Sequence, residues 1–350
     1  MEKLGKEVKE RGTQEMPIIT KREEVLDIYK KAADRGWVIP CFCTENLTTT
    51  EAVISAASEF ARDNHLESVP VTLAITVQYE HRSQSRNYTH SKNWETGLKL
   101  FQADAEVLMR EGGDYENVDL LLHLDHVQHD LDAGLCESDL SAFSTIMYDA
   151  STLPLEENIT RTREFVEKKG KEIMIEGACD EIVDAGGEAH NDITTAEKCA
   201  DYMKRTGVDM VVANLGTEHR ASGKELQYHG DAARAIKKAI GPRIVLHGTS
   251  SVSNEQVRAL FQDGVCKVNI WTALERDTSP ELIEFLVHNI SKAAGPQMVE
   301  KLREEGWLSD KCVTGEKEAL TAFTTVARQD VIFRAMKRMV REYLDMWYVL

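Results

Sequence analysis

The sequence predicts an α/β fold, a (β/α)8 TIM barrel with additional C-terminal helices, from three observations. Eight short apolar runs recur along the chain, and segments with helical periodicity separate them. The runs are almost continuously apolar, as strands of a parallel sheet that is buried on both faces require. Eight is also the number of strand–helix units that closes a barrel of this kind. The predicted strands occupy residues 37–44, 68–77, 118–125, 143–150, 172–179, 208–216, 243–250 and 266–273.

Amphipathic stretches at residues 51–63, 156–170 and 195–207 predict helices that pack outside the strands. An open, doubly wound sheet is the alternative, because it also alternates strands with helices. The Gly-x-Gly-x-x-Gly pattern that opens many sheets of that kind does not follow the first strand, so the barrel is favoured.

We expect a single domain over residues 1–350, with the barrel at about 22–278 and a helical extension at about 279–350. Residues 1–20 are expected to form a polar lead-in, and residues 78–97 a long loop on the side of the barrel that carries active sites. An apolar stripe in the extension predicts a packing face against the barrel or a second subunit. It comprises Phe323, Phe333, Met336, Met339, Leu344, Met346 and Trp347.

The charge of the chain excludes some partners. Its 350 residues carry 42 Lys and Arg against 59 Asp and Glu, a net charge of -17. Nucleic acids and anionic membrane surfaces are bound by positive fields, so neither is expected as a partner. No apolar stretch approaches the roughly 20 residues that span a bilayer. The net charge does not decide whether a small-molecule substrate is anionic, because one local basic residue can bind an anion within an acidic protein.

The cysteines indicate a reducing compartment. The chain has seven, an odd number, with no Cys-x-x-Cys pair, and Cys41 and Cys43 lie within an apolar run. These cysteines are interpreted as buried thiols. The segment from Met1 to Lys3 is charged and lacks the apolar region of a signal peptide, so a cytoplasmic protein is expected.

Polar residues cluster at the predicted carboxyl ends of six consecutive strands, where barrel enzymes hold their active sites. Random placement would scatter several of them over helix surfaces and the opposite rim. They are His123, Asp125, His126, Asp149, Ser151, Glu176, Asn214, Glu218, His219, His247, Thr249, Ser250 and Asn269.

Three of the histidines, His126, His219 and His247, follow strands three, six and seven and can converge across the barrel mouth. Three imidazoles with an open fourth position suit a catalytic Zn²⁺ ion. A lone histidine is more often a hydrogen-bonded core or rim residue, but three at strand ends beside carboxylates favour a metal. The other candidates are His123, interpreted as a structural or supporting residue, and the loop residues His129 and His190.

Five segments match the site motifs of one known family in order and spacing. They are 122-LHLDHV-127, 143-FSTIMYDASTLPLEENITRT-162, 206-TGVDMVVANLGTEHRA-221, 244-IVLHGTSS-251 and 264-GVCKVNIWT-272. The chain therefore resembles the class II, zinc-dependent ketose-bisphosphate aldolases, which include fructose-1,6-bisphosphate aldolase. The resemblance covers roughly residues 35–275 and includes every proposed zinc ligand.

The resemblance implies that the three histidines hold zinc and that Asp125 exchanges a proton with the carbonyl of the leaving aldehyde. Glu176 is implied near the metal, as a ligand or as a supporting group. Glu188 is implied as the second catalytic acid/base, in a loop where Glu181 and Asp184 compete with it.

Aldolase chemistry explains why such groups are needed. Cleaving a carbon–carbon bond beside a ketone leaves an enediolate, and Zn²⁺ supplies the electrophile at the carbonyl oxygen. One carboxylate takes the proton of the hydroxyl β to the carbonyl, and another acid/base group serves the enediolate carbon. A lysine Schiff base is disfavoured, because no strand ends in an isolated buried lysine and Lys267 is interpreted as out of phase with Asn269.

The anion-binding end departs from the family pattern. The family has Gly-Gly-Ser/Thr-Gly after the strand-seven histidine, and its backbone N–H groups cradle a phosphate. Here the run after His247 is Gly248-Thr249-Ser250-Ser251. The other departures are Arg220 in place of a glycine, Trp271 in place of a small polar residue, and Cys43, with Asn46 nearby, in place of an asparagine.

Two interpretations of this end follow. Arg220 could bind a phosphate or carboxylate through its guanidinium, or the pocket could take another polar substrate. A salt bridge from Arg220 to Glu218 or Glu225 at the rim is the alternative role for that side chain. The expected substrate-binding residues are Asn269, Arg220, Gly248, Ser250, Thr272 and Lys224, with Arg328 of the tail as a further basic candidate.

The resemblance implies a cytoplasmic, homo-oligomeric lyase of carbohydrate metabolism, a dimer or tetramer with glycolysis-like chemistry. It would cleave a ketose phosphate or related sugar by a reversible retro-aldol reaction with Zn²⁺, and a monovalent-cation requirement stays open. One alternative is a metal-dependent epimerase or hydrolase that uses the same site. Another is a non-catalytic sugar-phosphate-binding homologue, which the retention of Asp125 beside three histidines disfavours.

Overall fold

The computed structural model describes residues 18–181, 193–312 and 315–349. Within them, eight parallel strands form a closed barrel in which each strand pairs with the next and the last pairs with the first. The predicted fold class is confirmed. The strands are β1 Ile39–Cys43, β2 Val69–Thr76, β3 Val118–Gln128, β4 Thr145–Asp149, β5 Met174–Ala178, β6 Met210–Val212, β7 Ile244–Leu246 and β8 Val265–Ile270.

The helices surround this barrel and extend beyond it. Almost every strand residue is buried, since one face of each strand packs on helices and the other fills the barrel. The helices are α1 Arg22–Asp34, α2 Leu47–Asp63, α3 Gln84–Asn87, α4 Trp94–Leu108, α5 Ala133–Glu137, α6 Leu155–Lys169, α7 Ala196–Thr206, α8 Gly230–Ile240, α9 Leu260–Asp263, α10 Thr272–His288, α11 Ile290–Ala294, α12 Pro296–Glu304, α13 Leu320–Phe323 and α14 Thr325–Trp347.

The segment before β1 lies at the amino ends of the strands. The Ile19 backbone N–H donates to the Leu120 carbonyl near the start of β3, at 2.9 Å. Arg22 of α1 donates to Asp209, just before β6, at 2.6 Å. These contacts leave the opposite, carboxyl end of the barrel open for a site. Of the expected lead-in, residues 1–17 lie outside the described part of the chain.

The expected long loop at 78–97 is partly helical, which corrects that prediction. Helix α3 lies within it and α4 begins in it. Each helix has a side-chain N-cap: the Ser83 hydroxyl accepts from the Arg86 N–H, and the Asn93 side chain accepts from the Thr96 N–H. Such caps satisfy backbone N–H groups at the start of a helix, and they explain why helices begin within the expected loop.

Helix α14 packs on α2 and α10 at one side of the barrel. Met336, Leu344 and Trp347 of α14 are buried in the main core, as the apolar stripe predicts. Trp347 also donates its indole N–H to the Val257 carbonyl at 2.8 Å. Phe323 is an exception, with 40% of its surface exposed. In the described part of the chain, no helix combines the length and apolarity needed to cross a membrane.

A buried ion pair lies inside the barrel. The Lys267 ammonium of β8 is 2.6 Å from Glu176 Oε1 of β5, and neither residue has any exposed surface. Burial alone would lower the pKa of Lys267, but the neighbouring Cys41, Glu176 and Asp125 outweigh it and raise that pKa. The lysine is therefore held charged against Glu176.

The interpretation of Lys267 as out of phase with Asn269 was wrong. The two residues are separated by one position in β8, and alternate residues of a strand share a face. Asn269 faces the barrel mouth, where it donates to Asp125, and Lys267 lies below it on the same inward face. A protonated, ion-paired amine is a poor nucleophile, so Schiff-base chemistry at Lys267 gains no support from its burial.

We predict that Lys267→Met lowers the free energy of unfolding by about 3–5 kcal/mol, because it leaves the Glu176 carboxylate uncompensated in the core. The double variant Lys267→Met/Glu176→Leu should recover most of that loss, since an apolar pair removes both buried charges. Urea unfolding followed by far-UV circular dichroism measures both. Equal stability of wild type and Lys267→Met would contradict the ion-pair account.

Candidate active site

Three histidines from separate strands meet at the carboxyl end of the barrel. His126 lies in β3, His219 follows β6 and His247 follows β7 directly. Each histidine has one ring nitrogen that lies within 4.8 Å of a ring nitrogen of the other two. Among the described residues, this is the group of three or more potential metal ligands that lies this close together. We call it the three-histidine group.

A bulge in β3 lets two consecutive residues face the same cleft. Successive residues of a regular strand point to opposite faces, so Asp125 and His126 would normally diverge. The β3–β4 register shifts between Leu124 and Val127, and His126 has a φ of 46°. Such bulges redirect side chains near active sites. Both Asp125 and His126 consequently line one cavity.

His126 is oriented by a carboxylate. Its Nδ1 lies 2.8 Å from Asp149 Oδ2 at the end of β4, and Asp149 Oδ1 also accepts from the Ser151 hydroxyl at 2.6 Å. Burial raises the pKa of Asp149, but the bonds from His126 and Ser151 outweigh burial and lower it. An ionised Asp149 fixes the proton on Nδ1 and turns the lone pair of Nε2 outward, as metal-bound histidines require.

The other two histidines are held neutral. Burial, reinforced by the charge of His126, lowers the pKa of His219 to about 3, and burial likewise lowers that of His247. The His247 Nε2 atom is buried and has no hydrogen-bond partner in the described structure. Neutral imidazoles with available lone pairs are the ligands that Zn²⁺ takes in three-histidine sites, so these residues fit that ion.

Asp125 lies beside the three-histidine group with donors on several sides. It accepts from Asn269 Nδ2 at 2.8 Å and from the Cys43 thiol at 3.4 Å, and His123 Nε2 is 3.5 Å away. Burial raises its pKa, but the surrounding histidines, His126 first, outweigh burial and hold it well below the usual range. Burial raises the pKa of Cys43, so the thiol keeps its proton and donates it.

These side chains line one cleft at the barrel mouth, which we call the active-site cleft. It brings together the three-histidine group, Asp125 and most of the predicted substrate-binding residues. Its lining consists of Cys43, Thr76, Tyr79, Arg82, Gln84, Asp125, His126, His219, Arg220, His247, Gly248, Thr249, Ser250, Asn269, Ile270, Trp271, Thr272 and Ala273.

The backbone conformation and close packing at position 248 require a glycine. Gly248 has a φ of 71°, and a Cβ there would lie 2.8 Å from the backbone of Glu218. Close approach of these two segments keeps His219 and His247, their neighbours in sequence, side by side. Arg220 has a φ of 54°, which a non-glycine residue adopts at a cost.

Several candidates lie elsewhere. Glu176 sits below the cleft against Lys267, outside the three-histidine group, and its Oε2 is 3.8 Å from His123 Nε2. Lys224 pairs with Asp277 at 3.0 Å and does not line the cleft. Arg328 of α14 donates to the Phe323 carbonyl.

The loop after β5 is described only in part. Glu181 lines a second cavity beside the cleft, together with His126 and Asp149. The proposed Glu188, its competitor Asp184 and the candidate His190 lie outside the described residues.

Among the cleft residues that sequence reasoning missed, two come from the loop after β2 and make ring contacts within the site. The Tyr79 ring stacks on the His126 imidazole, with centroids 4.6 Å apart and planes at 8°. The Arg82 guanidinium lies 4.0 Å above the Trp271 ring. The available signal was their position at the carboxyl end of β2, where a barrel collects functional side chains.

Two solved structures with a similar fold bear aldolase descriptions. Fructose-bisphosphate aldolase from Campylobacter jejuni matches with a TM-score of 0.70 and 18% identity, covering 94% of this chain and 95% of that one. The YdjI aldolase from Escherichia coli K12 matches with a TM-score of 0.59 and 18% identity, covering 94% and 97%. At such identities these likenesses establish the fold alone.

The family assignment rests on the sequence itself. Residues 23–346 match the family model described as fructose-bisphosphate aldolase class-II. This range includes all eight strands, the three-histidine group and α14 up to its last turn. The chain therefore belongs to the class-II fructose-bisphosphate aldolase family.

Proposed function

We propose that this protein is a zinc-dependent aldolase that cleaves a ketose phosphate or a related sugar by a reversible retro-aldol reaction. Membership of the class-II aldolase family supports an aldehyde-lyase activity. The observation that carries the proposal is the position of the Asp125 carboxylate, which shares one cleft with three neutral or carboxylate-oriented histidines. That pairing places a proton acceptor beside a site fit for a Lewis acid.

In this proposal His126, His219 and His247 hold the metal. A bound Zn²⁺ ion would supply a Lewis acid for the ketone oxygen of the substrate. The short His126–Asp149 contact orients the His126 imidazole for that role, and the unpartnered His247 Nε2 supplies a lone pair. The ion pair of Glu176 with Lys267 favours a supporting role for Glu176 over that of a ligand.

Asp125 acts on the substrate hydroxyl β to the carbonyl. Its lowered pKa keeps it ionised, so it can take the hydroxyl proton as the carbon–carbon bond breaks and return it to the aldehyde in the reverse direction. The N–H donated by Asn269 and the S–H donated by Cys43 orient the carboxylate between the strand ends.

A second acid/base must serve the enediolate carbon. We propose Glu188 for this role, with Glu181 and Asp184 as the competing carboxylates of the same loop. Glu181 is the one of the three within the described residues, and it lines the cavity next to His126. Substitution of each in turn, with exchange of the donor's C–H proton as readout, distinguishes them.

Substrate contacts fall to the remaining lining residues. We assign Asn269, Arg220, Gly248, Ser250 and Thr272 to substrate binding, since all of them line the cleft. The pairing of Lys224 with Asp277 argues against a direct contact from that lysine.

The cellular setting is part of the proposal. All seven cysteines are free thiols, which agrees with a cytoplasmic protein. The net charge of -17 disfavours nucleic-acid and membrane partners, and a homo-oligomer, a dimer or tetramer, is proposed on the family resemblance.

We predict that Asp125→Ala keeps its bound metal but loses about 10²- to 10⁴-fold in kcat, because the general base of the cleavage step is gone. Purified protein is screened against ketose mono- and bisphosphates, with the released aldehyde measured by a coupled assay and the metal by mass spectrometry. Asp139→Ala, which removes an exposed carboxylate after α5, is the matched control and should retain full activity.

Unchanged turnover of Asp125→Ala would remove its proposed role. Metal-dependent conversion of a sugar without release of an aldehyde would instead favour the epimerase alternative.

A further inference from the structure

One wall of the active-site cleft is formed by an arginine stacked on an indole, and a carboxylate that follows a third strand holds the arginine. Arg82 follows β2, Glu45 follows β1 and Trp271 follows β8. The Arg82 Nε donates to Glu45 Oε1 at 2.6 Å, and Nη2 donates to the same oxygen. The guanidinium carbon lies 4.0 Å above the Trp271 ring.

These contacts orient the Arg82 guanidinium but engage only some of its N–H groups. Both hydrogen bonds go to a single carboxylate oxygen, and Nη1 has no hydrogen bond to any residue that the structure describes. Stacking on the indole holds the guanidinium plane, and Glu45 fixes one edge of it. A preorganised guanidinium with a free edge suits a two-oxygen acceptor such as a carboxylate or phosphate.

Arg82 and Trp271 line the same cleft as the proposed catalytic base, Asp125. Asp125 accepts from Cys43 and Asn269. Glu45 and Trp271 each come two residues later in the chain than one of these donors, toward the barrel mouth. Trp271 also packs on the small cluster of Cys41, Cys43 and Ala74 beneath it.

The two guanidinium groups of the cleft lie on different sides of it. Arg220 directly follows His219 and lies beside the three-histidine group, whereas Arg82 lies on the side of β1, β2 and β8. In the proposed reaction, the donor half of the ketose occupies the metal side. Asp125 takes the proton from the aldehyde half, which therefore extends toward Arg82.

We propose that Arg82, stacked on Trp271 and held by Glu45, binds a terminal anionic group of the aldehyde half of the substrate. The shared chemistry is a phosphate monoester or a carboxylate, at the end of a short carbon chain. Arg82 would thus select substrates whose leaving aldehyde is charged. This inference rests on the proposed aldolase function.

The test compares Arg82→Ala and Arg82→Lys with wild type on two ketoses that differ only in a phosphate at the aldehyde end. We expect the ratio of kcat/KM for the charged ketose to that for the neutral one to fall about 10- to 100-fold in Arg82→Ala, mainly through KM. Arg82→Lys should recover part of this ratio, because it keeps the charge but loses the planar fork.

Arg86→Ala is the matched control, since Arg86 is an exposed arginine of α3 that bonds Gln78 outside the cleft. It should keep the wild-type ratio. Thermal unfolding of each variant shows whether the fold is retained. If Arg82→Ala lowers kcat/KM equally for the charged and neutral ketoses, Arg82 and Trp271 form a structural wall and the proposal is wrong.

A binding measurement separates this inference from the proposed function. Calorimetry with glycerol 3-phosphate, glycerate and glycerol should give weaker binding of one anion, or of both, in Arg82→Ala than in wild type. The anion that is affected identifies phosphate or carboxylate as the natural group. If wild type cleaves no ketose, the aldolase proposal fails, but this selective loss would still assign anion binding to Arg82. If wild type binds neither anion, or both variants bind them as wild type does, the assignment is overturned.

Discussion

The pairing of β8 with β1 is the constraint on which the rest of the structure depends. It closes the sheet, so that the carboxyl ends of eight strands meet around one opening instead of along an edge. Side chains from β1, β3, β6, β7 and β8, which are distant in sequence, can then lie within a few ångströms of one another. Asp125 depends on this closure directly, because its two nearest donors, Cys43 and Asn269, belong to the two strands that seal the barrel.

Two local irregularities of the backbone position the side chains of the site within the barrel. The bulge in β3 turns His126 toward the cleft without removing Asp125 from it, and Gly248 allows the segments after β6 and β7 to approach closely. Beneath them, Lys267 and Glu176 form a charged pair that borders His123 and Asp125. The Lys267–Glu176 ion pair, the three-histidine group and the Arg82 guanidinium are thus supplied by different strands.

Much of this could be predicted from the sequence, because it follows from local pattern. Continuous apolar runs marked the eight strands, and the clustering of polar residues after them placed the three histidines and Asp125 at one opening. The inward facing of Lys267 could also have been predicted, because it follows from the two-residue spacing to Asn269 within one strand. Its pairing with Glu176, and the contacts of Arg82 with Glu45 and Trp271, could not be predicted from local pattern, because they depend on how the barrel brings distant segments together. Helix α3 and the early start of α4 were missed, because single caps at Ser83 and Asn93 in a polar segment decide where these helices begin.

The central claim is that the three-histidine group holds a zinc ion on which carbon–carbon cleavage depends. Its most direct test is a titration of chelator-treated, metal-free protein with Zn²⁺, in which bound metal and aldehyde release from a ketose phosphate are followed together. The account predicts that cleavage is absent at the start and rises linearly to a plateau at about one Zn²⁺ per chain. Full cleavage by the metal-free protein, or no restoration when the site is filled, would contradict it.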